Sequence, residues 1–202
     1  LEDGVVNDAE ACQASFDPAM MACGEGQNSA CLPPEKVAVL TQVMAGPSDS
    51  AGTPLYNSWY WEPGIASGNW RFWNLESPIP PWGNQPLIAV MGAGSLAQIF
   101  TTPPTPVGGS PEALGEFLMG FDFDVDAPKI FATSDAFPES AMQVMTPPNA
   151  DNPTLAGLQQ SGGKLIVFHG IADPVFSYKD TKDWYKRLQA NTDTTDAFTR
   201  FY

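Results

Sequence analysis

The strongest constraint on the fold is a short apolar segment near the carboxyl end of the chain, residues 164–168. Its sequence, Lys-Leu-Ile-Val-Phe, follows two glycines and precedes a turn, and such a run is typical of a strand buried on both faces of a parallel sheet. An amphipathic pattern over Asp180–Gln189 then predicts a helix with Asp180 as its amino-terminal cap. Another strand is predicted at Phe198–Tyr202. Residues 151–202 are therefore one α/β unit of a larger α/β domain.

The preceding 150 residues differ in composition and are rich in proline, glycine and aromatic side chains. Apolar periodicity and the positions of proline and glycine predict helices at Pro34–Ala45, Pro86–Phe100 and Pro111–Met119, with a short helix within Ser134–Met145. Residues 47–86 are predicted to form a long irregular segment, and a loop of that length is usually functional or a lid.

The charge balance excludes several classes of partner. Nine Lys and Arg against 23 Asp and Glu give a net charge of −14, whereas proteins that bind nucleic acid need clustered cations. The same deficit disfavours docking on an anionic membrane. No apolar run approaches the roughly 20 residues that span a bilayer. We therefore expect neither a nucleic-acid nor a membrane partner.

The cysteines lie together in an irregular, acidic amino-terminal segment. Cys23 and Cys31 flank glycine and asparagine, so a small disulfide loop is expected. Cys12 is then either a free thiol or paired outside this chain. A zinc site is disfavoured because the one histidine, His169, is distant in sequence. Low isoelectric point and expected disulfides favour a secreted or periplasmic protein.

Several motifs resemble those of a known enzyme family. Residues 162–174, Gly-Gly-Lys followed by His-Gly-x-Ala-Asp-Pro, resemble the tannase and feruloyl esterase family of α/β-hydrolases. The segments Asp3–Asp8, Phe16–Pro18 and Cys31–Pro34 are similar to that family's lid. The resemblance implies part of an α/β-hydrolase core with a large, mostly irregular and helical lid. It assigns the lid, incomplete at its amino terminus, to residues 1–150 and the partial core to residues 151–202.

The resemblance makes Asp173 the acid of a Ser-His-Asp triad, which holds the catalytic histidine in one tautomer and stabilises the imidazolium. The alternative is a common turn aspartate before proline. The family's serine elbow and its His-Cys pair do not occur in this sequence, and His169 is expected to form structural hydrogen bonds beside the turn. We therefore expect the chain to be a middle segment that needs the serine and histidine segments of the same enzyme, and to be inactive alone.

The resemblance also indicates residues that contact substrate. Residues Asp173–Ser177 are similar to those of family members that hydrolyse terephthalate monoesters, so Phe176, with Val175, is expected to pack on the aromatic ring of the substrate. The alternative for Phe176 is ordinary core. Trp82 and Phe100 are candidates for a wall that clamps the aromatic acyl group. The remaining tryptophans of this region are expected to form lid core: Trp59, Trp61, Trp70 and Trp73.

The family lid binds calcium through carboxylates and backbone carbonyls, which are the hard oxygen ligands that Ca²⁺ prefers. Matched to that pattern, Asp3 gives its side chain, and Leu1 and Val5 give their carbonyls. By the same resemblance Cys12 pairs with a cysteine preceding Leu1. A solvated acidic loop is the alternative. The alternating stretch 121–126 predicts a short strand or extended segment, and its aspartates lack the pattern of an EF-hand loop, so they are interpreted as a surface face.

These observations predict a serine carboxylesterase acting on small aromatic esters, with feruloyl, galloyl and terephthalate monoesters all open as substrates. The alternative hypothesis is a catalytically inert, calcium-stabilised lid fragment that binds aromatic ligands or a partner chain.

Overall fold

The two strands of the described sheet lie at the carboxyl end of the chain, as the sequence predicts. The computed structural model describes residues 8–27 and 29–202. Strand β1 (Leu165–Val167) pairs in parallel with β2 (Thr199–Phe201), so that Leu165 faces Thr199 and Val167 faces Phe201.

The remaining elements are helical. The α-helices of the described residues are α1 (Ala9–Ser15), α2 (Pro34–Ala45), α3 (Gly68–Asn74), α4 (Leu87–Gln98), α5 (Pro111–Met119), α6 (Ala141–Met145), α7 (Ala156–Gln160), α8 (Tyr178–Asn191) and α9 (Thr195–Phe198). Short 3₁₀ helices lie at Pro18–Met21, Pro63–Ala66, Pro80–Trp82 and Ala127–Ile130.

Helix α8 connects the strands and covers one face of the sheet. Tyr185 and Leu188 of this helix are buried. The rings of Tyr178 and Tyr185 each lie 5.3 Å from the ring of Phe201. Tyr185 also shares a hydrogen bond of 2.9 Å with the hydroxyl of Thr199. Apolar and polar contacts together therefore hold the helix against β2.

Within this chain the first strand is covered on one face, and its burial on both faces stays a prediction for the larger α/β domain. Ile166 is 67% exposed and Phe168 is 82% exposed, whereas Leu165 and Val167 are half-buried. The side chains of a strand alternate between faces, and α8 packs on the face that Val167 shares with Phe201. The apolar run therefore has one covered and one exposed face.

Helix α8 begins earlier than predicted because a different residue caps it. Ser177 Oγ accepts a hydrogen bond of 3.1 Å from the backbone N–H of Lys179. Such a cap satisfies a backbone donor that has no partner within the helix. Asp180, the predicted cap, lies in the first turn instead, where its negative charge complements the helix dipole.

Three predicted helices of the preceding region are confirmed. Helix α2 has the predicted bounds and ends where Gly46 adopts φ 82°, a left-handed conformation that favours glycine. Helix α5 also has the predicted bounds, with Ser110 as its cap. Helix α4 lies within the predicted range, and its residues Ala93 and Ala97 are fully buried. Helix α4 packs against α3 and α5.

Two predictions for irregular segments need correction. Residues 47–86 are less irregular than expected, because Ser67 Oγ accepts from the backbone N–H of Trp70 and starts helix α3. Residues 123–126 form a turn, and no strand is assigned within residues 121–126. There, Asp122 Oδ1 accepts from the backbone N–H groups of Asp124 and Val125, so a local side-chain interaction overrides the alternating pattern.

The predicted disulfide between Cys23 and Cys31 is confirmed, with a Cα–Cα distance of 4.9 Å. Cys12 is half-buried, and no disulfide partner for it lies within residues 8–27 or 29–202. Its pairing outside this segment stays a prediction.

Replacing both Cys23 and Cys31 by serine is expected to lower the free energy of unfolding by about 2–3 kcal/mol, because the short loop regains conformational entropy in the unfolded state. Urea denaturation of the purified protein measures this change. Glu25→Gln, an exposed change inside the same loop, is the control and should shift stability by under about 0.5 kcal/mol. Equal stability of the double variant and the control would contradict the prediction.

Candidate active site

Asp173 lies in a turn beyond the carboxyl ends of both strands, as the sequence predicts. We call residues 170–177 the Asp173 turn. The backbone N–H of Asp173 donates to the carbonyl of Gly170 at 3.1 Å. The strand ladder continues to the edge of the turn, since Tyr202 N–H donates to the Val167 carbonyl and His169 N–H donates to the Tyr202 carbonyl. The turn is therefore anchored to the sheet edge where α/β proteins place ligands.

The two oxygens of the Asp173 carboxylate have different surroundings. Oδ1 accepts hydrogen bonds of 2.8 Å from the backbone N–H groups of Val175 and Phe176. Oδ2 accepts no hydrogen bond from the described residues, and Nε2 of His169 lies 3.6 Å from it. The side chain is 33% exposed. One oxygen therefore fixes the orientation of the carboxylate, while the other is free to accept a further hydrogen bond.

His169 uses both ring nitrogens beside the turn. Nε2 lies 3.1 Å from the Phe176 carbonyl, and Nδ1 lies 2.7 Å from the hydroxyl of Thr181. A carbonyl only accepts, so this geometry assigns the proton to Nε2, and Nδ1 accepts from Thr181. The side chain is 15% exposed. With both nitrogens occupied, His169 is a structural residue of the turn rather than a free proton acceptor.

Residues far away in sequence also hold the Asp173 turn. Tyr56 Oη accepts from the backbone N–H of Ser177 at 3.1 Å, and Ser177 Oγ donates to the Ser58 carbonyl at 2.6 Å. Asn74, the last residue of α3, donates from Nδ2 to the Pro174 carbonyl at 3.3 Å. Ser177 is 1% exposed. The turn is thus hydrogen-bonded to residues 56–74 as well as to its own sheet.

A close backbone approach adds to these bonds. A Cβ atom built on Gly64 would lie 2.8 Å from Cβ of Ala172, closer than real side chains come. Glycine at position 64 therefore allows the 3₁₀ helix Pro63–Ala66 to approach the Asp173 turn. No sequence pattern singles out Tyr56, Ser58, Gly64 or Asn74. The only signal was the aromatic density of residues 47–86, which does not single out any of them.

Burial and charge set the protonation of groups around this contact. Burial raises the pKa of Tyr56, and the negative charges of Asp180 and Asp173 raise it further against the opposing bond from Ser177. The phenol is therefore neutral at ordinary pH. Lys179 donates to Ser58 Oγ at 2.7 Å and lies 4.7 Å from the Tyr60 ring centre. Burial lowers the pKa of Lys179, which the negative charges of Glu10 and Asp183 partly offset.

Helix α1 is connected to α8 through Glu10 and Lys182. Glu10 accepts hydrogen bonds from Lys182 and from the Tyr60 hydroxyl. These bonds lower the pKa of Glu10 and raise that of Lys182. The amino-terminal and carboxyl-terminal parts of the described chain therefore share an ion pair as well as the contacts at the turn.

The structure brings some predicted substrate residues to Asp173 and not others. Phe176 is 66% exposed within this chain, and its backbone N–H donates a hydrogen bond directly to Asp173, so its contact with substrate stays a prediction. Val175 is half-buried beside it. Trp82 packs on the ring of Phe72 at 6.3 Å, and Phe100 is half-buried. The hydrogen bonds and ring contacts of the described residues join neither Trp82 nor Phe100 to Asp173, and their roles stay predictions.

The tryptophans expected to form core differ in burial. Trp70 is buried, whereas the others are half-buried: Trp59, Trp61 and Trp73. Trp61 packs against Phe16, and Trp59 packs against Tyr56.

The predicted calcium ligands Leu1, Asp3 and Val5 lie outside the described residues. Within the part of the chain that the structure describes, no group of three or more His, Cys, Asp or Glu side chains is arranged to hold a metal ion. The aspartates at 122, 124 and 126 form the turn described above, where Lys129 pairs with Asp126 and lowers its pKa.

Comparison with known proteins relates the whole chain to esterases. The family model for tannase and feruloyl esterase matches residues 1–202. The chain is 38% identical over 218 aligned residues to the mono(2-hydroxyethyl) terephthalate hydrolase of Piscinibacter sakaiensis, covering 100% of this chain and 35% of that protein. It is 37% identical over 57 residues to feruloyl esterase B of Aspergillus niger, covering 26% of this chain and 11% of that protein.

Solved structures show the same fold. The whole chain superposes on 35% of feruloyl esterase B from Aspergillus oryzae with a TM-score of 0.58 and 17% identity. It also superposes on 34% of another esterase from Aspergillus oryzae with a TM-score of 0.55 and 19% identity.

A third sequence relative, an uncharacterized esterase of Xanthomonas campestris, is 25% identical over 189 residues, covering 93% of this chain and 30% of that protein. The chain thus spans about a third of the length of the Piscinibacter and Xanthomonas relatives.

Ser177→Ala is expected to lower the free energy of unfolding by about 1–2 kcal/mol, because it removes both the cap of α8 and the buried bond to the Ser58 carbonyl. Thermal or urea denaturation measures the change. Ser15→Ala is the matched control, since that hydroxyl is exposed and bonds only carbonyls of its own helix. A loss no larger than that of the control would show that the contact contributes nothing to stability.

Proposed function

Because this chain belongs to the tannase and feruloyl esterase family, we propose that it supplies Asp173 as the triad acid of a serine carboxylesterase. The observation that carries the proposal is that the two carboxylate oxygens differ in their hydrogen bonds. Two backbone N–H groups fix Oδ1, and Oδ2 is left without a hydrogen bond from the described residues. A triad acid needs this combination of a rigid orientation and a free acceptor.

In the proposed reaction, Asp173 Oδ2 accepts a hydrogen bond from Nδ1–H of the catalytic histidine. That bond holds the imidazole with Nε2 unprotonated, so Nε2 takes the proton of the serine hydroxyl as the serine attacks the ester carbonyl. The imidazolium then protonates the leaving alcohol. Water then attacks the acyl-enzyme. The histidine takes the proton of the water and returns it to the serine oxygen as the acid is released. The negative charge of Asp173 stabilises the imidazolium in both steps.

The serine and the catalytic histidine are proposed to come from other segments of the same enzyme. The sequence contains one histidine, His169, and its two ring nitrogens are occupied by Thr181 and the Phe176 carbonyl. We therefore assign the proton shuttle to a different histidine, which approaches the exposed side of the Asp173 turn.

We further propose the division into a lid, residues 1–150, and a partial α/β-hydrolase core, residues 151–202. The strands, α8 and the Asp173 turn all lie in the second segment. Tyr56, Ser58 and Asn74 lie in the first and reach the turn by hydrogen bonds. On this division, the triad acid lies at the boundary between lid and core.

Esters of aromatic carboxylic acids are the proposed substrates. One relative is a terephthalate monoester hydrolase and another a feruloyl esterase. Phe176 supports the same class, because an exposed ring beside the triad acid can stack on an aromatic acyl group. Val175 would line the same wall, with Trp82 and Phe100 contributing from the lid. Feruloyl, galloyl and terephthalate monoesters all fit this description.

A secreted or periplasmic location is also proposed. The Cys23–Cys31 disulfide persists best in an oxidising compartment. In residues 8–27 and 29–202 no helix combines the length and the apolarity needed to cross a bilayer.

Asp173→Asn in the full-length enzyme is expected to lower kcat on aryl esters by about two to four orders of magnitude. The asparagine carbonyl can still accept from Val175 and Phe176, so the fold is kept, but its NH₂ group cannot accept from the histidine. Steady-state kinetics and circular dichroism test both parts. Asp183→Asn on α8, where the side chain is 43% exposed and pairs with Lys186, is the control, and near-normal turnover of Asp173→Asn would refute the assignment.

Calcium is proposed as a structural ion of the lid, with Asp3 as a side-chain ligand and Leu1 and Val5 as carbonyl ligands. The ion takes no part in the steps above. Binding to the folded state alone would stabilise it by mass action.

Removing calcium with a chelator is therefore expected to lower the melting temperature of the intact protein, and adding Ca²⁺ back should restore it. Asp3→Asn should weaken this response, whereas Glu25→Gln should not. A melting temperature that is indifferent to chelator would contradict the calcium site.

A further inference from the structure

One peptide group of the Asp173 turn is held at both ends by side chains. The carbonyl of Phe176 accepts from Nε2–H of His169 at 3.1 Å. The N–H of the same peptide group, on Ser177, donates to the hydroxyl of Tyr56 at 3.1 Å. His169 follows β1, whereas Tyr56 lies more than a hundred residues earlier in the chain. Two distant parts of the fold therefore fix the orientation of a single peptide plane.

This peptide group is directly connected to the anchor of the carboxylate. Asp173 Oδ1 accepts from the N–H of Phe176, the residue on the amino side of the clamped peptide. A rotation of the Phe176–Ser177 peptide changes the backbone at Phe176 and so displaces one of the two donors that hold Oδ1. The same rotation would move the Phe176 side chain.

Both clamping side chains are themselves fixed. His169 Nδ1 accepts from Thr181 on α8, and the His169 ring packs edge-on against Tyr178. Tyr56 packs against Trp59 at 5.5 Å. The adjacent bond from Ser177 Oγ to the Ser58 carbonyl keeps the segment that carries Tyr56 in place. The clamp is therefore built from preorganised groups.

We propose that Tyr56 and His169 are positioning residues that orient Asp173 by clamping the Phe176–Ser177 peptide from opposite sides. The inference rests on the proposed function of Asp173. Neither residue touches the reacting atoms. Each acts through the backbone donors of the Asp173 carboxylate, and Tyr56 makes that orientation depend on the proposed lid.

The charged and titratable groups around Asp173 limit how the clamp affects the pH profile. His169 Nε2 lies 3.6 Å from Oδ2, and the charges of Asp173 and Asp180 both act on Tyr56. Asn57 of the proposed lid donates to Asp180 at 3.2 Å. Tyr56→Phe leaves His169 and both carboxylates in place. The variant itself therefore removes no charge from the surroundings of Asp173.

The test is Tyr56→Phe in the full-length enzyme. We expect kcat on an aryl ester to fall about tenfold, since a small misplacement of a catalytic group is costly, with KM within about twofold. A less well oriented Asp173 stabilises the imidazolium less, so the pKa of the catalytic histidine falls and the acid limb of kcat/KM moves to lower pH. In the Asp173→Asn background, Tyr56→Phe should have no further effect on kcat.

Tyr178→Phe is the matched control. It removes a hydroxyl that makes no hydrogen bond with the described residues, from a half-buried tyrosine one residue beyond the turn. Equal kinetics of Tyr56→Phe and Tyr178→Phe would overturn the proposal. So would a loss of kcat that is the same in the Asp173→Asn background and leaves the acid limb unmoved, because that pattern indicates only a lower folded fraction.

Amide hydrogen exchange separates the clamp from the proposed function. Exchange at the Ser177 N–H should accelerate in Tyr56→Phe and not in Tyr178→Phe, whatever the enzyme hydrolyses. Unchanged exchange would overturn the clamp. Normal turnover of Asp173→Asn would instead overturn the assigned role of Asp173, and the exchange result would still show whether the peptide is clamped.

A second set of variants tests the clamp from the His169 side, in case Tyr56→Phe folds poorly. His169→Ala removes the donor to the Phe176 carbonyl and should reproduce both the faster exchange and the lower kcat. His169→Gln retains an N–H donor at the end of its side chain and should recover part of both. Equal behaviour of the alanine and glutamine variants would contradict the clamp.

Discussion

The orientation of one carboxylate depends on the backbone around it. Asp173 is held through Oδ1 by the N–H groups of the residues that follow it in its own turn. A local arrangement of this kind would be mobile if the turn were free at its far end. The turn instead leads directly into the cap of α8, and that helix packs on β2. The helix and sheet beyond the turn therefore contribute to the fixed position of the site.

The contacts that join residues 56–74 to the Asp173 turn are mainly polar. Ser177 donates and accepts with its hydroxyl while its N–H donates to Tyr56, so the polar groups of a residue that is 1% exposed are paired. Unpaired buried polar groups are costly, and these bonds are directional. A polar boundary of this kind specifies one relative orientation of the two segments, whereas apolar contacts alone tolerate sliding.

The differences between the predicted and observed elements share one cause, which is that the local pattern of a sequence does not show which segments pack against each other. The apolar run 164–168 indicates a strand, but its alternation of buried and exposed residues depends on which face α8 covers. Asp180 and Ser177 are both acceptable caps by composition. Ser177 is selected because tertiary contacts fix its hydroxyl. In residues 121–126, the side chain of Asp122 bonds the local backbone and replaces the strand that alternation predicts.

The sequence by itself determined the positions of α2, α4 and α5, the disulfide loop, the α/β unit and the place of Asp173 after a strand, because each of these depends on spacing, turn residues or end signals within a short window. Only the tertiary structure decided that Oδ1 is anchored and Oδ2 is free. It alone also brought Tyr56 and Asn74 to the turn and left Phe176 exposed beside Asp173. The contacts of Tyr56 and Asn74 join residues a hundred or more positions apart, and such pairings leave no periodic signal in the chain.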